Sequence, residues 1–283
     1  MNCIKENLIN MVIDIYENLY EILIKIKKEK PLIHHITNYV TANDCANVVL
    51  ALGGTPVMAD DPNEVEEMVS LASALVLNMG TINERKVESF ILAGKKANEL
   101  GIPIVLDPVG VGATKFRKEA AKRILKEIKI SVLRGNMSEI KNIYGIEGIT
   151  RGVDSTENTL DGGREIALAL AQRLNCVVAI TGAVDIISDG LKVYCITNGH
   201  EMLCSITGTG CMSSSLIGLC CGVQVEHLYG AIMGVIIMGI AGEKAYEALN
   251  NEDGMGSFKV NLMNAISRFS AEDIKKRGKI HEI

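Results

Sequence analysis

From residue 32 to residue 196, short apolar runs recur with helix-length amphipathic segments between them, and few architectures accept that alternation. The runs cover residues 32–36, 55–59, 74–79, 102–106, 130–133 and 176–180. Each is too short for a helix and reads as a short strand, and residues 74–79 read as a strand of the buried type. A strand, a crossover helix and a second strand at this spacing give a parallel pair with the helix packed on the sheet. The spacing therefore predicts an α/β fold in three layers, a mostly parallel central sheet flanked by helices on both faces. Residues 185–188 and 192–196, split by Asp189-Gly190, read as a hairpin. From Thr209 onward the pattern is almost wholly helical up to a charged tail.

Residues 10–30 carry Ile and Leu at helical spacing, turn basic at Lys25, Lys27, Lys28 and Lys30, and stop at Pro31. Residues 1–30 thus read as an N-terminal helical extension, and residues 31–283 as a single domain, since no linker or repeat divides them. Further helices are expected from Asn38 or Thr41 to Gly53-Gly54, from Asp61-Pro62, and over residues 83–100, 115–128, 138–144 and 162–174.

Composition narrows the function classes. The net charge of −5 gives no electrostatic reason to expect nucleic acid or an acidic membrane as partner. The longest greasy stretch, residues 228–242, is about 15 residues against the roughly 20 that span a bilayer, so it reads as a buried helix. Eight cysteines contain no C-x-x-C pair, and several sit in apolar runs as reduced thiols do. With no basic, apolar, cleavable start at the N-terminus, a cytoplasmic protein is expected.

In open α/β sheets ligands bind at the carboxyl ends of the strands, so the polar clusters are read there. Gly208-Thr209-Gly210-Cys211 opens the apolar run of residues 212–223. Two glycines allow a tight turn, and a helix start exposes N–H groups without intrahelical partners, which together suit a phosphate or a transferring phosphoryl group. A cysteine at a helix N-terminus is expected to have a lowered pKa. The same pattern also occurs where a helix merely begins and the thiol is packed.

Asp107, in Asp107-Pro108-Val109-Gly110, is placed for Mg²⁺ or a water, or starts a turn. In Arg134-Gly135-Asn136-Met137-Ser138-Glu139, Arg134 can reach a phosphate and Glu139 a metal, or Asn136 and Glu139 form a capping box. Thr181-Gly182 borders a nucleotide phosphate or only turns the chain. The amides Asn38, Asn43 and Asn47, with Thr37 and the apolar Pro56-Val57-Met58, suit a small organic molecule with a ring and a hydroxyl. His34 and His35 are neighbours on a strand and face opposite ways, so they do not share a metal. P-loop, dinucleotide-fingerprint and nucleophile-elbow motifs are absent from the sequence.

Taken in order, Ile36-Thr37-Asn38, Asn43, Asn47, Pro56-Val57-Met58-Ala59, Asp107-Pro108-Val109-Gly110, Arg134-Gly135-Asn136 with Glu139, Thr181-Gly182 and Gly208-Thr209-Gly210-Cys211 resemble the hydroxyethylthiazole kinases of thiamine salvage. The resemblance implies a ribokinase-like fold and transfer of the ATP γ-phosphoryl group to the primary alcohol of 4-methyl-5-(2-hydroxyethyl)thiazole, with Mg²⁺. It implies that Met58, Gly208 and Asn38 border the thiazole, that Arg134 and Thr181 contact ATP, and that Asp107 and Glu139 serve the metal. It implies catalysis around Gly208, Thr209, Gly210 and Cys211, with Cys211 standing where ribokinase relatives generally carry an Asp. It also implies a homotrimer with active sites at the subunit interfaces. Other readings are a kinase of the same fold for a hydroxymethylpyrimidine or a vitamin B6 alcohol, an ATP-dependent dehydratase, a nucleotide-binding regulatory module, or a thiol enzyme with Cys211 as nucleophile and His200 or His227 as its base.

Overall fold

A computed structural model describes residues 2–148 and 160–283, with side-chain surroundings described from residue 15 onward. The chain runs α1 (Asn2–Glu29), β1 (Leu32–Ile36), α2 (Ala42–Leu52), β2 (Thr55–Met58), α3 (Val65–Ser70), β3 (Ala74–Asn78), α4 (Glu84–Leu100), β4 (Ile104–Asp107), α5 (Lys115–Glu127), β5 (Val132–Asn136) and α6 (Met137–Ile146). It continues through α7 (Leu160–Leu174), β6 (Val177–Thr181), β7 (Asp185–Ser188), β8 (Val193–Ile196), a 3-10 turn at Glu201–Ser205, α8 (Thr209–Cys221), α9 (His227–Glu247), α10 (Met255–Ser267), α11 (Ala271–Arg277) and β9 (Ile280–Glu282).

The described strands form one sheet in the order β2-β1-β3-β4-β5-β6-β7-β8-β9. Pairing is parallel from β2 to β6 and antiparallel from β6 to β9. Period-2 alternation sorts the strand residues between two cores. Ile33, Val76, Val105, Val132 and Ala179 pack with α1, α2, α8, α9 and α10. Leu75, Leu77, Leu106, Leu133 and Ile180 pack on the opposite face with α4, α5, α6 and α7. The three-layer α/β fold expected from the strand runs is the fold observed.

The departures have local causes. α3 begins at Val65 rather than at Asp61-Pro62, because the Asp61 side chain accepts from Asn63 N and ties residues 61–63 into a turn. β5 continues past Leu133 through Arg134, Gly135 and Asn136, since their backbones pair with Ala179, Ile180 and Thr181 of β6 and need no apolar side chains to do so. β9, in the charged tail, is a three-residue edge strand on β8, with exposed His281 and Glu282 where charge discourages further pairing. In α1, Leu19, Ile22 and Ile26 are fully buried in the first core. α9 is long and apolar enough to cross a membrane, yet nine-tenths of its apolar window is buried inside the protein. A core helix is therefore what the greasy stretch forms.

Candidate active site

The chain leaves β1, moves outward to form β2, and crosses back to β3, so the sheet has its switch point between β1 and β3. The polar residues collect at that end of the sheet. Asn78, Asp107, Arg134 and Thr181 share the parity of Val76, Val105, Val132 and Ala179, and all four side chains therefore face the layer that holds α8.

Helix α8 starts beside them. Gly208 has φ +93°, a left-handed conformation, and a Cβ there would lie 2.6 Å from Thr41 Cγ2. The first helical bond runs from Met212 N to Gly208 O (2.8 Å), which leaves the N–H groups of Thr209, Gly210 and Cys211 ahead of the ladder. Gly210 faces Arg134 so closely that a Cβ would lie 2.7 Å from Nη1. Arg134 in turn donates from Nη2 to Thr181 Oγ1 (2.6 Å), and its Nη1 lies 3.6 Å from Asp107 Oδ2.

Asp107 is fully buried, and Ser214 Oγ (2.7 Å) and Asn78 Nδ2 (3.0 Å) also donate to its Oδ2. Burial raises its pKa and the nearby Glu139 adds to that, while Arg134, Ser214 and Asn78 oppose the rise. It is more than a turn starter. Glu139 forms the capping box with Asn136, and its Oε1 also accepts from Gly110 N (2.9 Å), which joins the β4–α5 turn to α6. The capping-box reading of that segment is the one observed, and the same carboxylate lies near enough to Asp107 to raise its pKa.

Cys211 Sγ lies 3.4 Å from Asn38 Nδ2 and 3.3 Å from Asn78 Nδ2, and Asn38 also donates to Asn78 Oδ1 (2.9 Å). The expected lowering of its pKa is not what this environment produces. Burial raises it, the Asp107 charge raises it further, and hydrogen bonds from Thr41, Asn38 and Asn78 offset only part. Desolvation outweighs the helix start, so the thiol is protonated at neutral pH. His200 and His227 are not its partners: His200 stacks on Tyr246 with ring centroids 3.7 Å apart, and His227 opens α9. The covalent thiol reading thus lacks its base.

Beyond Arg134 a cavity of about 550 Å³ opens between the ends of β5 and β6, the start of α8 and the middle of α9. Its walls include Arg134, Thr181, Thr209 and Gly210 together with His200 and Met238. The volume suits a nucleotide. Met58 ends the edge strand β2, paired with His35 of β1, at 39% exposure. Asn43 and Asn47 lie on the exposed side of α2, bonded to each other. His34 reaches Ala59 O on one face of the sheet and His35 reaches Ser215 Oγ on the other, as their adjacency requires.

Asn78, Ser214 and Thr41 were not singled out from the sequence as site residues. Asn78 carries a usable signal, a polar residue closing an otherwise apolar strand at the ligand-binding end. Asp185 was missed too. It lines the cavity and accepts from Gly182 N (2.9 Å), and burial lifts its carboxyl from 3.8 to about 7 against that bond and the Arg134 charge. The folded value exceeds the unfolded one, so the favourable term present below the ordinary carboxylate range is lost as pH rises through about 7. Asp185→Asn keeps an acceptor for Gly182 and removes the charge. Its stability advantage over the parent is expected to grow by a few kcal/mol between about pH 4 and about pH 8. Denaturant melts that show the same difference at both pH values would contradict this.

Comparison with known proteins decides the family. The model of the hydroxyethylthiazole kinase family matches residues 23–272. The chain belongs to that family. A hydroxyethylthiazole kinase of Alkaliphilus oremlandii (strain OhILAs) is 64% identical over 270 residues, covering 95% of this chain and 100% of the relative. One from Clostridium beijerinckii is 52% identical over 266 residues, covering 93% of this chain and 96% of the relative. The solved hydroxyethylthiazole kinase of Pyrococcus horikoshii OT3 superposes with a TM-score of 0.85 at 40% identity, over 94% of this chain and 98% of that one. Pyridoxal kinase of Staphylococcus aureus, in complex with AMP-PCP and pyridoxal, superposes at 0.63 with 14% identity over 90% and 99%, a likeness of fold alone. The expected ribokinase-like architecture is thereby found among solved kinases as well.

Proposed function

We propose that the chain transfers the γ-phosphoryl group of ATP to the primary alcohol of 4-methyl-5-(2-hydroxyethyl)thiazole, in the cytoplasm, as a step of thiamine salvage. The observation that carries the chemistry is the meeting of Gly210, Arg134 and Asp107 at the first turn of α8. Phosphoryl transfer requires positioning and charge neutralisation more than covalent chemistry. The ATP chain enters from the 550 Å³ cavity past Thr181 and Arg134, and the alcohol approaches from the side of Asn38 and Met58. The N–H groups of residues 209–211 and the Arg134 guanidinium receive the equatorial oxygens of the migrating group.

Asp107 and Glu139 fit a phosphate-bound Mg²⁺. Asp107 Oδ1 is buried with no hydrogen-bond partner among the described residues. No group of three or more described His, Cys, Asp or Glu side chains is arranged as a complete cage. Mg²⁺ uses one or two carboxylates, waters and substrate phosphates, so two carboxylates are enough. Bound there, the ion would neutralise charge on the phosphate oxygens.

The Cys211 thiol, protonated in this environment, is no base as it stands; it lines the pocket beside the Asn38 and Asn78 amides, and a loose transition state demands little base strength of the site. Cys211→Ala is expected to lower kcat by less than about tenfold, since it removes no general base. Cys211→Asp places a carboxylate before the same amide donors and is expected to hold or raise kcat. Steady-state assays of both check this, and complete loss of turnover in a folded Asp variant would show that position 211 does not face the alcohol.

Tyr39 (80% exposed) and Val40 (57%) between β1 and α2, Leu50 (56%) in α2 and Met58 at the end of β2 are exposed apolar residues. Exposed apolar residues around a site suit coverage by a second copy, which supports the homotrimer with interfacial sites. Sedimentation equilibrium is expected to give three times the chain mass, and a monomer would contradict the arrangement. The reaction itself is tested by mass detection of phosphorylated hydroxyethylthiazole after incubation with ATP and Mg²⁺. Release of free phosphate without that product would point to the dehydratase reading.

A further inference from the structure

Lys86 sits in the first turn of α4, where the helix dipole disfavours a cation, and the residue is only 7% exposed. Both features cost free energy, and burial lowers its pKa despite the opposing charge of Asp60. Its ammonium group explains the cost. It donates to Thr37 O (2.6 Å) and to Thr81 Oγ1 (3.4 Å), and lies 4.0 Å from Asp60 Oδ2. Thr37 leads directly into Asn38, Thr81 follows β3 and its terminal Asn78, and Asp60 lies two residues beyond Met58. Ser89 Oγ, one turn on in α4, donates to Asp60 O (2.7 Å) and holds the same loop. One cation thus joins the segments that leave β1, β2 and β3, from the face of the sheet opposite α8.

We propose that Lys86 is a positioning residue for the alcohol half of the site, fixing the Asn38 and Met58 segments relative to each other. This rests on the reading that Asn38 and Met58 border the thiazole. Asn38 has the more exacting task, because its side-chain amide must reach both Cys211 Sγ and Asn78 Oδ1. Without the ammonium the Thr37 carbonyl loses its donor, and the segment carrying that amide is released. The nucleotide cavity, walled by the ends of β5 and β6 with α8 and α9, makes no use of these bonds.

The test is steady-state kinetics of Lys86→Met and Lys86→Arg with each substrate varied in turn. Lys86→Met is expected to raise the KM for the thiazole alcohol about tenfold and to leave the KM for ATP within about twofold, with Lys86→Arg partly restoring the first. Asp60→Asn, at a carboxylate whose side chain is 55% exposed, threatens the fold little and is expected to raise only the alcohol KM, by a smaller factor. An unchanged alcohol KM in Lys86→Met, or equal changes in both KM values, would overturn the assignment. Asn38→Ala and Met58→Ala separate the two claims. If neither changes the alcohol KM, the location of the alcohol site is wrong; if they raise it while Lys86→Met does not, only the role of Lys86 falls.

Discussion

Gly210→Val should abolish measurable turnover while leaving the fold intact. Even a single Cβ at position 210 would lie 2.7 Å from Arg134 Nη1 and 3.3 Å from Nη2. The obstructed group is the far end of a flexible side chain, so the protein accommodates it by moving the guanidinium, at little cost in stability. Function bears the whole effect. A displaced Arg134 loses Thr181 Oγ1 and its approach to Asp107, and the valine methyl groups occupy the space before the N–H groups of α8. Losing a single oxyanion donor costs about 10²–10³ in rate, and here several are obstructed together. The loss in kcat/KM is therefore expected to be about 10³-fold or more, with Gly210→Ala intermediate and both melting temperatures near the parent's. Substantial turnover in the valine variant would show that the transferred group passes elsewhere.

The second large effect is expected at Asp107. Its Oδ2 is held by Ser214 and Asn78 and faces Arg134, while Oδ1 has no partner among the described residues. Asp107→Asn keeps the volume but removes the charge that orders Arg134 and would receive Mg²⁺. Its amide oxygen can keep the Ser214 and Asn78 donors, which puts the NH2 at the partnerless Oδ1 position, where a cation would be repelled, and leaves Arg134 without its counter-charge. A fall in kcat of about 10³-fold is expected, since the metal and the arginine both act on transition-state charge. Assays at saturating ATP and Mg²⁺ with circular dichroism as a fold control measure it. A loss below about tenfold would place the divalent ion elsewhere.

Both effects fall on residues that the sequence exposes, and for the same reason. Asp107 and Thr181 end apolar strands and Arg134 follows the apolar part of β5, near the strand ends where α/β folds put their ligands, and strand periodicity turns all three to one face. The glycines around Thr209 announce a tight turn into a helix, and the turn is there. What the sequence hides depends on distance in the chain. The Asn38–Asn78–Cys211 contacts join residues 40 and 173 positions apart, and no local pattern marks them. The protonated Cys211 was unreadable for a related reason: a helix start is local, but the desolvation and the Asp107 charge that outweigh it arrive from other strands. Lys86 looks like an ordinary surface lysine of an amphipathic helix until the loops above β1 and β2 close over it. β9 escaped because its partner β8, and not any apolar run of its own, makes it a strand.

The decisive observation is where a bound nucleotide places its phosphates. A crystal structure with Mg²⁺ and a non-hydrolysable ATP analogue should show the terminal phosphoryl oxygens hydrogen-bonded to the N–H groups of residues 209–211, with Arg134 bridging toward the β-phosphate. A triphosphate ordered at another edge of the sheet, with water on those three amides, would contradict the proposed site.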